Sequence, residues 1–314
     1  MTKRIVIALG GNALQRDGEA SAAAQERVAK LTARTLVPLI QQGVQIVLVH
    51  GNGPQVGNIV LHEEAINTKT VPTMPLDVNV AMSQGQIGFW LQNALINEFT
   101  RQHMDATAAT VVTQMLVDAK DPAFNNPTKP IGPFYTTESE AKQAATKRGF
   151  VYRQDAGRGY RRMVPSPRPV RALEEYTVQK LIDNGVTVIT AGGGGIPVVQ
   201  TPHDGYKGVE AVIDKDFAAA VIAKTIHADE LIILTAVEAV MIGFGTPQQQ
   251  ALRTVTVAEL EQYINDEEFA AGSMLPKVLA AAEFCKQTGC TAVIGSLEHA
   301  IEVIAGTSGT HIVK

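Results

Sequence analysis

The chain is poor in aromatic residues and in cysteine. It carries no block of a single charge and has no long apolar run. With aromatics at 5%, a core must be filled by Val, Ile, Leu and Ala, which suits a parallel sheet covered on both faces. The two cysteines, Cys285 and Cys290, are too few for a disulfide framework and offer too few ligands for a metal site. They read as a reduced pair in a cytoplasmic protein. A net charge of −4 without a Lys/Arg block argues against nucleic acid and against a membrane surface as partners. No run reaches the ~18 apolar residues of a membrane span. Met1-Thr2-Lys3-Arg4-Ile5 leads directly into an apolar run without a signal-peptide region, so a cytoplasmic location is expected.

Several catalytic signatures are missing too. No segment matches G-x-x-x-x-G-K-[ST]. Gly51-Asn52-Gly53 is followed by Gly57, one residue too late for the dinucleotide fingerprint. His62-Glu63 is followed by Ile66 rather than a histidine, which removes the zinc-protease helix. G-x-S-x-G is absent, against a nucleophile elbow.

What the chain does have is glycine at the ends of strands. Ile5–Leu9 runs into Gly10-Gly11-Asn12, Val44–Val49 into His50-Gly51-Asn52-Gly53, and Val186–Ala191 into Gly192–Gly195. A β-branched run ending in glycine ahead of a helix presents bare backbone N–H groups at the carboxyl edge of an α/β sheet. Without a Cβ the backbone can approach an anion closely. Three such turns meeting in one crevice would hold two anionic groups side by side.

At 314 residues, 45% of them hydrophobic, one large or two smaller cores are expected. Strands are expected at Ile5–Leu9, Gln45–His50, Thr110–Gln114, 186–191, 230–235 and 291–294, with an edge strand at His311–Val313. Helices are expected at 21–42, from Gln55 to about Ala65, and at 76–102, 174–184, 209–227, 274–288 and 297–305. The alternation predicts a doubly wound α/β sheet. One stretch breaks it. Asp118 to Pro169 holds seven of the fifteen prolines and an arginine cluster, Arg153, Arg158, Arg161 and Arg162. A stretch this long without βα units reads as an inserted lid.

Charged residues sit beside these turns. Asp214-Lys215-Asp216 opens the helix continuing through Phe217. Carboxylates are ordinary helix caps there, but a lysine between them is opposed by the helix dipole. Lys277 repeats that anomaly after Gly272-Ser273-Met274-Leu275-Pro276, and a cation at the positive end of a helix is expected to face an anion. Lys129, in Pro127-Thr128-Lys129-Pro130-Ile131-Gly132-Pro133, is held by prolines on both sides. His50 reads as a buried residue at a strand end rather than a proton carrier.

Six segments in order, Leu9–Leu14, His50–Gly57, Pro127–Gly132, Gly192–Val198, Ala211–Asp216 and Gly272–Lys277, resemble the carbamate kinases of the amino acid kinase family. The resemblance runs essentially end to end. It implies an open α/β/α sandwich with a mainly parallel eight-stranded sheet and a protruding lid subdomain at about 118–169. Residues 1–205 would form an acceptor-side lobe and 206–314 a nucleotide-side lobe. It also implies a homodimer, and a phosphotransferase with a carboxyl-type acceptor. The reaction would be ATP + carbamate ⇌ ADP + carbamoyl phosphate with Mg2+, used to make ATP in fermentative catabolism of arginine, agmatine or purine-derived ureido compounds.

Carried over by residue, Gly10, Gly11, Asn12, Gly51, Asn52 and Gly53 would hold the phosphoryl group and carbamate. Lys129 would descend from the lid, supplying charge that many relatives place just ahead of the first Gly-Gly, here Ala8-Leu9. Lys215 and Lys277 would neutralise phosphates, Asp216 would orient them with Asp214 nearby, and Gly193, Gly194 and Gly195 would lie near the nucleotide. No metal-ligating side chain is implied. Ala236, in Leu234–Glu238, and Thr246, in Gly243–Pro247, depart from the family pattern near the expected adenine pocket. The helix around Ser83–Trp90 is a candidate subunit contact. Two other readings compete: another acyl-phosphate-forming kinase, and a silent nucleotide-binding regulator. A larger acceptor would need anchoring groups beyond these small turns. A silent regulator would have lost charged residues that this chain keeps.

Overall fold

The computed structural model describes residues 2–10, 19, 21–155, 159–203, 205–270 and 272–314. Gly11, Asn12 and Arg158 lie outside the described residues. In chain order, β1 (Arg4–Leu9) is followed by α1 (Ala22–Gln41), β2 (Gln45–His50), α2 (Gly53–Ile66) and α3 (Leu76–Arg101). Next come β3 (Ala108–Thr110), β4 (Gln114–Val117), β5 (Lys129–Tyr135), α4 (Glu138–Arg148), β6 (Val151–Gln154), β7 (Tyr160–Val164) and β8 (Pro169–Ala172). They lead to α5 (Glu175–Asp183), β9 (Thr187–Ile189), β10 (Ile196–Thr201), β11 (Gly205–Gly208), α6 (Lys215–Thr225) and β12 (Glu230–Thr235). The last part holds β13 (Met241–Ile242), β14 (Gln250–Ala251), β15 (Thr254–Thr256), α7 (Val257–Asn265), α8 (Met274–Thr288), β16 (Thr291–Ser296), α9 (Ala300–Ile304) and β17 (Thr310–Val313).

Eight strands form the main sheet in the order β15-β17-β16-β12-β1-β2-β9-β3. All neighbours are parallel except β16 and β17. Strand alternation builds two cores. Val6 and Ala8 of β1, Val47 and Val49 of β2, and Leu231 and Ile233 of β12 face one core, closed by residues of α5–α8. Ile5, Ile7, Leu9, Ile46, Leu48, Ile232 and Leu234 face the other, with residues of α1, α3 and α9. Both faces are therefore covered, so continuous apolar runs are what such strands require. Helix ends follow sequence cues. Ser21 Oγ accepts from the Ala24 N–H at the start of α1, and Gly289 ends α8 in the left-handed conformation.

Other expectations shift. The strand expected at Thr110–Gln114 is two strands in two sheets. β3 pairs with β9, whereas β4 joins a second sheet ordered β11-β10-β4-β8. The break is held by Gln84 of α3, whose amide accepts from Thr113 N–H at 2.8 Å and donates to Thr113 O at 3.1 Å. The turn at Gly192–Gly195 leads into β10, not into a helix. The helix expected at 209–227 starts only at Lys215, because Asp214 Oδ1 caps the Asp216 N–H at 3.0 Å. The preceding segment is held by Val212 N–H donating to Pro165 O at 3.0 Å. Lid residues 129–164 form a sheet ordered β5-β7-β6 with α4 beside it. Both cysteines are free thiols; Cys285 is buried and its burial pushes the thiol up to about 11. Among the described residues no helix is long and apolar enough to cross a membrane.

Candidate active site

The carboxyl ends of β1, β2, β9 and β12 lie together at one edge of the main sheet, and the glycine turns leave the sheet there. This is where open α/β sheets form binding crevices. Contacts show that the turns meet. A Cβ on Gly193 would fall 2.1 Å from Asn52 Nδ2, and one on Gly194 would fall 2.2 Å from Ile213 O. One on Gly10 would lie 3.0 Å from Leu234 O. At Gly193 and Gly194 only glycine permits this packing, and both also have positive φ, of 65° and 94°, while Gly10 is tight.

The backbone donors of these turns are not all free. Gly10 N–H donates to Leu234 O at 3.0 Å, and Gly51 N–H donates to Leu9 O at 3.1 Å. Gly194 N–H donates to Ala191 O and Gly195 N–H to Gly192 O. These four N–H groups are therefore not free, and Gly10, Gly194 and Gly195 contribute close approach instead. The first turn of α2 is different. It begins at Gly53 with Asn52 as N-cap residue, and no side chain caps it. Its leading N–H groups and the helix dipole are available to an anion. Asn52 is itself held, with Nδ2 donating to Ser83 Oγ at 2.8 Å. Ser83 in turn donates to Val80 O.

The three lysines converge on two aspartates at the start of α6. Asp216 is 2% exposed and takes both Lys215 Nζ at 2.5 Å and Lys277 Nζ at 3.0 Å, one on each carboxylate oxygen. Lys277 stands in the first turn of α8, so the two helix starts are tied through one carboxylate. Asp214 Oδ2 accepts from Lys129 Nζ at 2.7 Å. Burial opposes the charge on Asp214, but the Lys129 charge and hydrogen bond outweigh it and hold the carboxyl below its ordinary value. Thus Lys129, Lys215 and Lys277, drawn from three separate segments, stand at one site with Asp214 and Asp216. Three cations beside two carboxylates leave one net positive charge at the site, the sign that phosphate oxygens need.

His50 offers no proton chemistry here. It is buried, and burial pulls its pKa down to about 4. Its Nδ1 lies 2.9 Å from Gly51 O, which only accepts, so the neutral ring carries its proton on Nδ1. Its other edge packs against Gly192, where a Cβ would come within 2.4 Å.

The sequence matches the amino acid kinase family profile over residues 3–296. The chain belongs to the amino acid kinase family. Within that family it is 49% identical to the carbamate kinase of Latilactobacillus sakei, covering all of both chains. It is 48% identical to the carbamate kinase of Pyrococcus horikoshii, covering 99% of each. The solved carbamate kinase of Giardia lamblia bound to AMP-PNP superposes with a TM-score of 0.92 at 44% identity, covering 100% of this chain and 99% of that one.

Set in this family fold, some contributors are not singled out by the sequence. Ser83 and Gln84 lie on α3, where the glutamine-rich pattern suggests a subunit contact. Both are buried and brace the site from within, through Asn52 and Thr113. Two adjacent polar residues on the buried face of α3 are the available signal. Arg162 belongs to an arginine cluster without an assigned role, yet it reaches Glu210 at 2.5 Å, four residues before Asp214.

Proposed function

We propose that this amino acid kinase family member catalyses reversible phosphoryl transfer between ATP and carbamate, giving ADP and carbamoyl phosphate. The observation that carries the reading is the convergence of Lys129, Lys215 and Lys277 on Asp214 and Asp216, with the site's histidine neutral and buried. Carbamate is already an anionic oxygen nucleophile and needs no general base. What remains is alignment and charge neutralisation, which lysines and a helix N-terminus supply.

In this reading the first turn of α2, with Asn52 and Gly53, receives the acceptor and the transferred phosphoryl group together with Gly10; Gly11 and Asn12, outside the described residues, carry the same assignment by family resemblance alone. Lys129 descends on it from the lid. Lys215 and Lys277 neutralise the nucleotide phosphates, and Asp216 keeps both lysines from collapsing onto other anions. Residues 1–205 then form the acceptor side and 206–314 the nucleotide side, with Gly193–Gly195 between them. Mg2+ enters with the nucleotide as part of the substrate. The role in the cell is ATP formation from carbamoyl phosphate in the cytoplasm. An exposed apolar stripe on α3 supports a homodimer.

The test is ATP formation from ADP, Mg2+ and carbamoyl phosphate by purified protein, beside Lys129→Ala. Rapid synthesis by the wild type and its loss in the variant are expected. A well-folded wild type that makes no ATP would sink the reading, in favour of another acceptor or a regulatory nucleotide binder.

A further inference from the structure

The lid touches the rest of the molecule through apolar and charged contacts. Beneath it, Ile131 and Val164 cluster with Val56 and Val60 of α2, Leu76 and Val80 of α3, and Val212. Gly57 of α2 faces Gly132 of the lid, where an added Cβ would be in ordinary contact at 3.8 Å. These contacts bring the lid down but do not fix its lateral position, since apolar attraction is non-directional. Direction comes from the Val212 N–H, which donates to Pro165 O at the lid's exit, and from two ion pairs to the same short segment of chain. Lys129 reaches Asp214, and Arg162 reaches Glu210. Val212, between those two acids, joins the lid's apolar cluster, while Ile213 abuts Gly194.

The two pairs have different fates during turnover. Lys129 must share its charge between Asp214, 2.7 Å away, and any substrate oxygen it meets. Sharing with substrate weakens that tie of the lid. Arg162–Glu210 then remains as a charged anchor.

Arg162 is built for the task. Its side chain is 12% exposed, and its guanidinium carbon lies 3.4 Å from the centre of the Phe150 ring, within the lid. Its Nε is buried without a hydrogen-bond partner. Leaving a donor unsatisfied in this way carries a cost, which an incidental surface tether would avoid by turning to water. Stacking on an aromatic ring while pairing with a carboxylate is arginine geometry, not lysine geometry.

We infer that Arg162 and Glu210 form a latch that fixes the docked position of the lid and so sets where Lys129 meets the acceptor substrate. Arg162 is a positioning residue, acting through Lys129. Its kinetic readout rests on the function proposed above; the contact itself does not.

The experiment compares wild type, Arg162→Ala, Arg162→Lys, Glu210→Ala and the double variant Arg162→Ala/Glu210→Ala. Two quantities are read: the KM values for carbamoyl phosphate and ADP, and the rate at which a protease nicks residues 129–164. Arg162→Ala should raise KM for carbamoyl phosphate about 3- to 5-fold, the size expected from losing one half-exposed ion pair. KM for ADP should stay within about twofold, and the lid should be nicked faster. Arg162→Lys should recover part of the loss. The double variant should be no worse than Arg162→Ala, because either single change already breaks the pair. Unchanged KM and nicking in Arg162→Ala, equal damage to both KM values, or additive losses in the double variant would each overturn the latch. If the wild type makes no ATP, the proposed function fails, and non-additive nicking alone decides for or against the latch.

Discussion

Gly193 and Asn52 lie so close that a β-carbon on the glycine would fall 2.1 Å from the asparagine amide nitrogen. This contact joins the turn after β9 to the turn after β2. Two neighbouring glycines therefore make opposite predictions. At Gly193, alanine would meet both the clash and a φ of 65°, so Gly193→Ala should destabilise the fold by roughly 2 kcal/mol or more and displace Asn52. At Gly53, a Cβ would meet nothing within 4 Å, and the position opens α2. Gly53→Ala should leave the melting temperature unchanged. If phosphate approaches this turn as proposed, the substitution should weaken catalytic efficiency with carbamoyl phosphate about tenfold or more. Thermal unfolding and ATP synthesis measured on both variants check the pair. A fully active Gly53→Ala would remove the turn from the phosphoryl site.

Asp216 is the one carboxylate to which Lys215 and Lys277 are both tied, and their side chains are only 12% and 16% exposed. Asp216→Asn would leave two neighbouring cations without their counter-charge. The expected result is a loss of about 2–3 kcal/mol of stability, together with turnover slowed roughly a hundredfold or more. Asp214→Asn should behave differently. Asparagine still caps a helix, and Lys129 is 38% exposed, so stability should change by less than about 1 kcal/mol. Urea unfolding alongside turnover separates the two. Equal destabilisation by both variants would mean that the aspartates share one structural role.

The glycine turns, the central strands and the charged motifs are legible because each depends on local chemistry. β-Branched runs between turns, a lysine against a helix dipole and prolines flanking Lys129 are readable over a few residues. The break after Thr110 is not readable, because it is made by the Gln84 amide some thirty residues away in sequence. The start of α6 is obscured for a related reason. Val209–Ile213 looks helix-compatible, but Val212 is held by Pro165 at the lid's exit. The lid's sheet is hidden by its prolines, which locally read as loop. The donors of Gly10 and Gly51 are also misleading in sequence. Bare N–H groups at strand ends look free, yet neighbouring strands take both.

His50 supplies a pH test. Its folded pKa of about 4 is below its ordinary value of 6.5, so the folded state resists a proton that the unfolded chain accepts. The stabilisation is fully present above pH 6.5, shrinks as pH falls below it, and is gone below about 4. A shift of that size corresponds to about 3 kcal/mol. Asp214 is held below its ordinary 3.8, so it stays charged throughout the range from pH 7 to about 4.5 and does not mask the effect. Wild-type unfolding free energy should drop between about pH 7 and pH 4.5 by a larger margin than that of His50→Gln. Parallel curves for the two proteins would show that the fold does not hold His50 neutral.

The outer face of α3 bears on assembly. Val78, Met82, Phe89 and Ile96 recur at spacings of 4, 7 and 7, which places them on one side of the helix, and they are 37%, 47%, 64% and 38% exposed. Gly85 lies on the same side and is exposed. The stripe runs for about 27 Å along the axis. Its inner counterpart, Val80, Ile87, Leu91 and Leu95, is already buried in the protomer. An exposed row of this length, centred on a phenylalanine, is the kind of surface a second subunit covers. Phe89→Asp should weaken self-association at least about 30-fold and shift a micromolar sample from dimer to monomer by light scattering. The same helix holds Ser83 and Gln84 inward, so circular dichroism on the variant should remain native-like if only the outer face is affected. A wild type that is monomeric at that concentration would leave the stripe without the proposed partner and remove the homodimer from the functional reading.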